Sequence, residues 1–175
     1  MSCRILTNHV RDSLELAKQA GLTERICDLI QQHHGTNVMT YFYQKAKDLA
    51  VASDQELDEG TFRYPGPKPQ SKEAAILMMA DSIEAASRTV SNPTTLQIQA
   101  IINRIIDDAI ADNQLDECDI TMREIYSLKE SFLRALGGIH HRRIDYPGYD
   151  FTLPHGKAES RPLEDSNPLP PKPPS

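Results

Sequence analysis

Apolar residues recur at Ile5, Leu6, Val10, Leu14 and Ala17, the three-and-four spacing of a single helical face. They predict a helix over Cys3–Ala20, closed by Gly21. Thr23 then stands as an N-cap, and Ile26, Cys27, Leu29 and Ile30 form the next apolar stripe. That second helix ends at His33-His34-Gly35, where the glycine permits a left-handed cap. Residues 38–52 read as a third helix, rich in aromatics through Tyr41, Phe42 and Tyr43. It runs into the acidic, turn-rich stretch Ser53–Gly60, which reads as a solvated loop.

The segment Phe62-Arg63-Tyr64-Pro65-Gly66-Pro67-Lys68-Pro69-Gln70 fits neither a helix nor a central strand. Proline at every second position fixes φ and removes donors, so an extended, stiff loop is predicted. Ser71 is placed to cap the helix that follows, Lys72–Val90. Ala74-Ala75-Ile76-Leu77-Met78-Met79-Ala80 makes that helix nearly all apolar along its first half, which predicts a place in the middle of the domain. After Asn92-Pro93, two amphipathic helices are predicted over Thr95–Asn113 and Thr121–His141, joined by the acidic linker Asp116-Glu117-Cys118-Asp119. With no strand pattern anywhere, the fold class is all-α.

The composition changes after Tyr146, with 8 of the 12 prolines in the last 30 residues. This divides the chain into a helical domain, residues 1–147, and a disordered Pro-rich tail, residues 148–175. The whole chain of 175 residues is enough for one ordinary domain. A net charge of -6 has the wrong sign for coating a nucleic-acid polymer, though not for holding a small phosphorylated ligand. The longest apolar run, residues 74–80, is far below the ~20 residues of a membrane span. Cys3, Cys27 and Cys118 are too scattered for a disulfide framework or a zinc knuckle; they read as buried structural thiols in a reducing cytoplasm.

Three features share the vocabulary of metal sites: His9 in the first helix, the pair His33-His34 ending the second, and Asp81 inside the apolar helix. Imidazole and carboxylate together suit zinc, iron or manganese. Each also has an ordinary reading: His9 as a helix-surface or half-buried histidine, the pair as ordinary histidines, and Asp81 as an N-cap contact or the partner of an arginine such as Arg88. An ionised carboxylate in an apolar helix is costly unless paired or bound to metal, and that singles Asp81 out. His140 and His141, beside Arg142 and Arg143, read as cations complementing a helix C-terminus. No Gly-x-Ser-x-Gly elbow, phosphate-cradling glycine loop or activated cysteine is present.

The order of these pieces is more specific than any one of them. Ser2-Cys3-Arg4-Ile5-Leu6-Thr7-Asn8-His9-Val10, His33-His34-Gly35-Thr36, the Phe62–Pro69 segment, residues 72–88 around Asp81, and Asp112-Asn113-Gln114-Leu115-Asp116-Glu117-Cys118-Asp119 follow one another. Together they closely resemble the cytoplasmic HD phosphohydrolase domain of bacterial seven-transmembrane HD proteins, the PgpH type of cyclic di-AMP phosphodiesterase. The resemblance covers about residues 2–147. It implies an HD-like helical bundle and a metal-dependent opening of a cyclic dinucleotide to its linear product. It also implies His9, His33, His34 and Asp81 as metal ligands. Arg63, Tyr64 and Lys68 either reach the substrate or simply fix the loop.

The family's first metal histidine and its defining His-Asp pair would lie before Met1, and no His-Asp dipeptide occurs in this sequence. The expectation is therefore an HD domain truncated at its N-terminus, begun at an internal methionine of a longer coding sequence. Where the complete family domain holds two iron or manganese ions, at most one would be held here. Three functions compete: half of an enzyme completed by the missing HD segment, a nucleotide-binding module without turnover, and an interaction protein pairing with an intact HD protein.

Overall fold

The computed structural model describes residues 3–51 and 57–141, and these fold as six α-helices and one 3-10 turn. They are α1 (Cys3–Gln19), α2 (Glu24–Gln32), α3 (Thr40–Val51), the turn Glu59–Phe62, α4 (Lys72–Ser87), α5 (Thr95–Ala111) and α6 (Met122–His141). Residues 142–175, with the expected Pro-rich tail and its boundary at residue 147, lie outside the described residues, as do the side chains of His140 and His141. Among the described residues the only β pairing is an isolated antiparallel bridge between Val38 and Arg63, so the all-α reading holds.

Cap chemistry sets most helix boundaries. Ser71 accepts from the Ala74 amide to start α4. Thr94 and Gln97 form a reciprocal capping box on α5, and Thr121 with Glu124 does the same for α6. Thr23 occupies the N-cap position of α2, but its side chain makes no capping hydrogen bond. The expected ends at Val90 and Asn113 overshoot. The Ser87 and Thr89 hydroxyls bond the Glu84 and Ala86 carbonyls in the last turn of α4, and Asn113 adopts a left-handed φ of 56° just past α5. In the acidic loop, Asp58 accepts from the Gly60 amide and nucleates the short turn that periodicity could not announce.

The core is the seam where α4 packs on α5 and α5 on α6, with α2 on another side of α4 and α1 on α2. Ile98, Ile102, Ile106 and Ala109 line one stripe of α5 against Ala75, Met78, Met79 and Ile83 of α4, and Ile125 and Leu136 of α6 complete the cluster. The central place expected for α4 is borne out on most of its circumference. Its stripe Leu77, Asp81, Ala85 and Arg88, however, is open to solvent. Ile106 is completely buried at the middle of this seam. Ile106→Ala should therefore cost about 2–5 kcal/mol, the range for deleting a core isoleucine side chain. Urea unfolding by circular dichroism reads it as a lower midpoint at unchanged slope.

Large apolar side chains remain exposed on the outer helices, among them Ile5 and Leu16 on α1 and Tyr41 on α3. Of the three cysteines only Cys27 is buried; Cys3 and Cys118 are half-buried, which corrects the expectation of three core thiols.

The proline loop is pinned along its length. The Met39 amide donates to the Phe62 carbonyl at 2.7 Å and the Tyr64 amide to the Asn37 carbonyl at 3.0 Å. At its far end Pro69 is fully buried and the Gln70 amide donates to the Gln32 side chain at 2.8 Å. The loop is thus held beside the end of α2, where the histidine pair sits.

Candidate metal centre

His33 closes α2 in right-handed geometry, and the chain then turns through His34, Gly35 and Thr36. Gly35 has φ +53°, a region that costs an ordinary side chain about 1–2 kcal/mol. A Cβ there would stand 2.5 Å from Gln114 Oε1 and 3.1 Å from Met78 Sδ. The glycine therefore serves both the turn and the close approach of α4 and the segment after α5. The turn presents both histidine rings towards His9 of α1.

The three rings meet through Nε2. His9 Nε2 lies 3.4 Å from His33 Nε2 and 3.0 Å from His34 Nε2, and the three potential ligand atoms lie within 4.8 Å of one another. His33 Nδ1 donates to the Ile30 carbonyl at 2.6 Å, and His9 Nδ1 donates to the Leu6 carbonyl. A carbonyl only accepts, so both Nδ1 atoms carry hydrogen, and a neutral ring then has a bare lone pair at Nε2. The His9 and His33 lone pairs, facing each other at 3.4 Å, repel; a cation between them converts the same arrangement into coordination. The donor set fits a divalent transition metal.

His34 is pushed down to about 3, chiefly by burial and then by the neighbouring His33 and His9. Asp81 Oδ2 stands 3.5 Å from His34 Nδ1, yet its charge does not offset those effects, so the pair is a neutral ring beside a carboxylate. The Asp81 side chain is 45% exposed, which corrects the premise that it is a buried charge. Arg88, its expected alternative partner, pairs with Glu84 at 2.5 Å instead. Asp81 lies behind His34 and is not within the tight cluster formed by the three imidazoles.

The loop residues divide. The Tyr64 ring stacks on His34 with centroids 4.2 Å apart and planes at 25°. Burial raises the Tyr64 hydroxyl pKa, helped by the Asp81 charge and by Cys3, and it stays a donor at neutral pH. Arg63 is engaged by the fold: it donates to both Asp112 carboxylate oxygens at 2.8 Å, to Glu59 at 2.6 Å and to the Thr36 carbonyl at 2.9 Å. Of its two readings, these are the contacts of a residue that fixes the loop. The Lys68 charge also acts on Asp112.

Sequence reasoning missed Gln114, which is fully buried. Its Oε1 accepts from the Thr36 amide at 2.9 Å, while Nε2 donates to Thr36 Oγ1 and to Asp112, both at 2.8 Å. A clasp of Gln114, Asp112 and Arg63 therefore fixes the residue two places beyond His34. The Asp112 carboxyl is held below its ordinary range, first by the hydrogen bond from Arg63 and then by that from Gln114. Its contribution to stability is complete above the ordinary carboxylate pKa near ~4 and is lost as pH falls through the lowered one. Asp112→Asn should accordingly destabilise the protein at pH 7 and flatten the acid limb of its stability curve. Thermal melts of both proteins from pH 7 to 3 test this; parallel limbs would contradict it.

Comparison with known proteins shows the family. The HD domain family model matches residues 4–86. The chain is 43% identical over 143 residues to the cyclic-di-AMP phosphodiesterase PgpH of Listeria monocytogenes, covering 82% of this chain and 19% of that protein. It is 40% identical over 147 residues to PgpH of Bacillus subtilis, covering 84% and 20%. The chain thus spans about a fifth of the length of these curated relatives. The crystal structure of the L. monocytogenes PgpH HD domain in complex with cyclic-di-AMP superposes with a TM-score of 0.75 at 42% identity, over 83% of this chain and 66% of that one. A second crystal structure of that HD domain gives 0.72 at 40%, over 79% and 63%. With residues 4–86 matched by the HD domain model and most of the chain superposing on solved HD domains at 40–42% identity, the chain belongs to the HD-domain family as part of such a domain.

Proposed function

We propose that this chain is the part of a metal-dependent phosphodiesterase that opens cyclic di-AMP to a linear dinucleotide, with His9, His33, His34 and Asp81 forming its share of the metal centre. The observation that carries this reading is the convergence of three Nε2 atoms from α1 and the end of α2. Iron and manganese are the ions in view, since both accept imidazole and carboxylate. When bound, such an ion lowers the pKa of water and polarises a phosphoryl oxygen. The chain's own residues supply the rest. His34 stays neutral and available as a ligand, Tyr64 braces its ring and keeps a hydroxyl donor beside it, and the Gln114 clasp holds the turn.

A complete centre needs the His-Asp portion, which this sequence does not contain. The exposed Ile5, Leu16 and Leu77 side chains and the open stripe of α4 support a partner there: the rest of an HD domain, in the same chain or in another. No helix of the described residues is long and apolar enough to cross a membrane, and a cytoplasmic setting is proposed from the family resemblance. A second reading, a nucleotide-binding or protein-interaction module without turnover, is favoured by one observation. Among the described residues the tight ligand cluster is all imidazole, with no carboxylate to bridge two ions.

Hydrolysis of cyclic di-AMP by the Mn(II)-loaded chain, alone and mixed with the His-Asp portion of a PgpH HD domain, separates the readings. Turnover is expected only in the mixture and should fall at least about 100-fold in Asp81→Asn, as for loss of a catalytic group. Turnover unchanged in both Asp81→Asn and His34→Ala overturns the site assignment.

A further inference from the structure

Among the described residues the buried polar side chains are those of Gln32, Ser87 and Gln114. The Ser87 hydroxyl donates to the Glu84 carbonyl of its own helix. The two glutamines instead reach across segments, and they bracket the histidine pair. Gln32 immediately precedes His33, and its Oε1 accepts from the Gln70 amide at the end of the proline loop at 2.8 Å. Gln114 comes from the segment after α5 and holds Thr36, two residues beyond His34.

Thr36 is fixed at each of its polar groups. Its amide donates to Gln114 Oε1 at 2.9 Å, its hydroxyl accepts from Gln114 Nε2 at 2.8 Å, and its carbonyl accepts from Arg63 at 2.9 Å. Between the two anchors the turn closes on itself: the Gly35 amide donates to the Gln32 carbonyl at 2.9 Å and the Asn37 amide to the His34 carbonyl at 3.2 Å. Gln114 follows the left-handed Asn113, and its own amide donates to the Ala109 carbonyl at 2.9 Å, which holds its backbone to the end of α5. Neither glutamine side chain bonds an imidazole; their partners are the Gln70 amide, Thr36 and Asp112.

A side chain that only filled these places would need no amide. Methionine is of similar length, and a buried amide is costly unless it is hydrogen-bonded. What a satisfied amide adds is one defined geometry, because its bonds are lost if either segment shifts. We infer that Gln32 and Gln114 are positioning residues for the metal centre, fixing both ends of the turn so that His33 and His34 present Nε2 to His9 before an ion arrives. The inference rests on the reading of the three histidines as metal ligands and deepens it. Groups behind metal ligands are worth about 10–100-fold in metal affinity.

The full chain is titrated with Zn(II) against a chromophoric chelator, since nitrogen donors hold Zn(II) more tightly than Mn(II) and weakened sites stay measurable. Gln32→Met and Gln114→Met are each expected to weaken Zn(II) binding by about tenfold or more, with folding checked by circular dichroism. Ile106→Ala, which lowers stability without touching the hydrogen bonds of the turn, should leave the affinity unchanged. In a double-mutant cycle, Gln114→Met should cause no further loss once His34→Ala is present, because it acts through that ligand. Folded glutamine variants that bind like the parent, losses that add to His34→Ala, or an equal loss in Ile106→Ala overturn the positioning role and leave the metal reading standing. Should Gln114→Met not fold, Gln32→Met against Ile106→Ala decides. Parent-like binding by His34→Ala removes the metal reading itself, and the positioning role with it.

Discussion

His9→Ala is expected to weaken Mn(II) binding by more than about 100-fold, since even residues one step behind metal ligands are worth 10–100-fold. His33 and His34 are neighbours on one turn, and His9 is the residue that brings a second helix to the cluster. Without it two imidazoles remain, a set that holds transition metals poorly. The metal-free protein should not suffer, because alanine is the better helix former in α1 and the facing lone pairs are reduced by one. The expected pattern is an unchanged melting temperature without metal and loss of the increase that Mn(II) gives to the parent protein. That increase corresponds to about 2.7 kcal/mol at a hundredfold excess over Kd. Electron paramagnetic resonance of free Mn(II) measures the affinity directly. Retained affinity would mean that the three histidines are ordinary packing residues.

Gly35→Ala should be the most damaging small substitution in the turn. The new methyl group needs a left-handed φ, which costs about 1–2 kcal/mol, and meets Gln114 Oε1 at 2.5 Å. Gln114 cannot withdraw without leaving the Thr36 amide and the Asp112 carboxylate short of a partner, a further cost of about 1–3 kcal/mol. A total of about 2–5 kcal/mol follows, together with weaker metal binding as His34 is displaced. Gly21→Ala is the comparison. It has φ +69° but open space around its Cβ, so it should show the backbone cost alone. Equal melting temperatures for the two variants would show that Gln114 yields freely.

The helices were legible because each repeats its apolar residues at helical spacing, and the proline loop was legible because proline leaves the backbone few options. The start of α5 at Thr95 was read as observed, and the capping box of Thr121 with Glu124 carried a signal that would have moved the start of α6 from Thr121 to Met122. The clustered histidines were indicated by their order along the chain, which is what an HD resemblance preserves. Gln114 and Asp112 left no local trace: their partners Thr36 and Arg63 are 78 and 49 residues away. The solvent exposure of Asp81 was equally hidden. A run of apolar residues reports that a helix is mostly buried, while the face left open depends on which neighbours arrive, and α2 and α5 leave the Leu77–Asp81–Ala85 stripe uncovered.

The pins along the proline loop give it the dynamics of a different kind of element. Surface loops normally open by themselves at little free energy, well below global unfolding. Here the Gln70 amide is tied to a buried glutamine of α2, Pro69 is enclosed, and Arg63 is tied to the residue that follows α5. The segment can loosen only when those helices part. Its amides should therefore exchange with solvent, and its peptide bonds meet proteases, on the slow clock of the helical core.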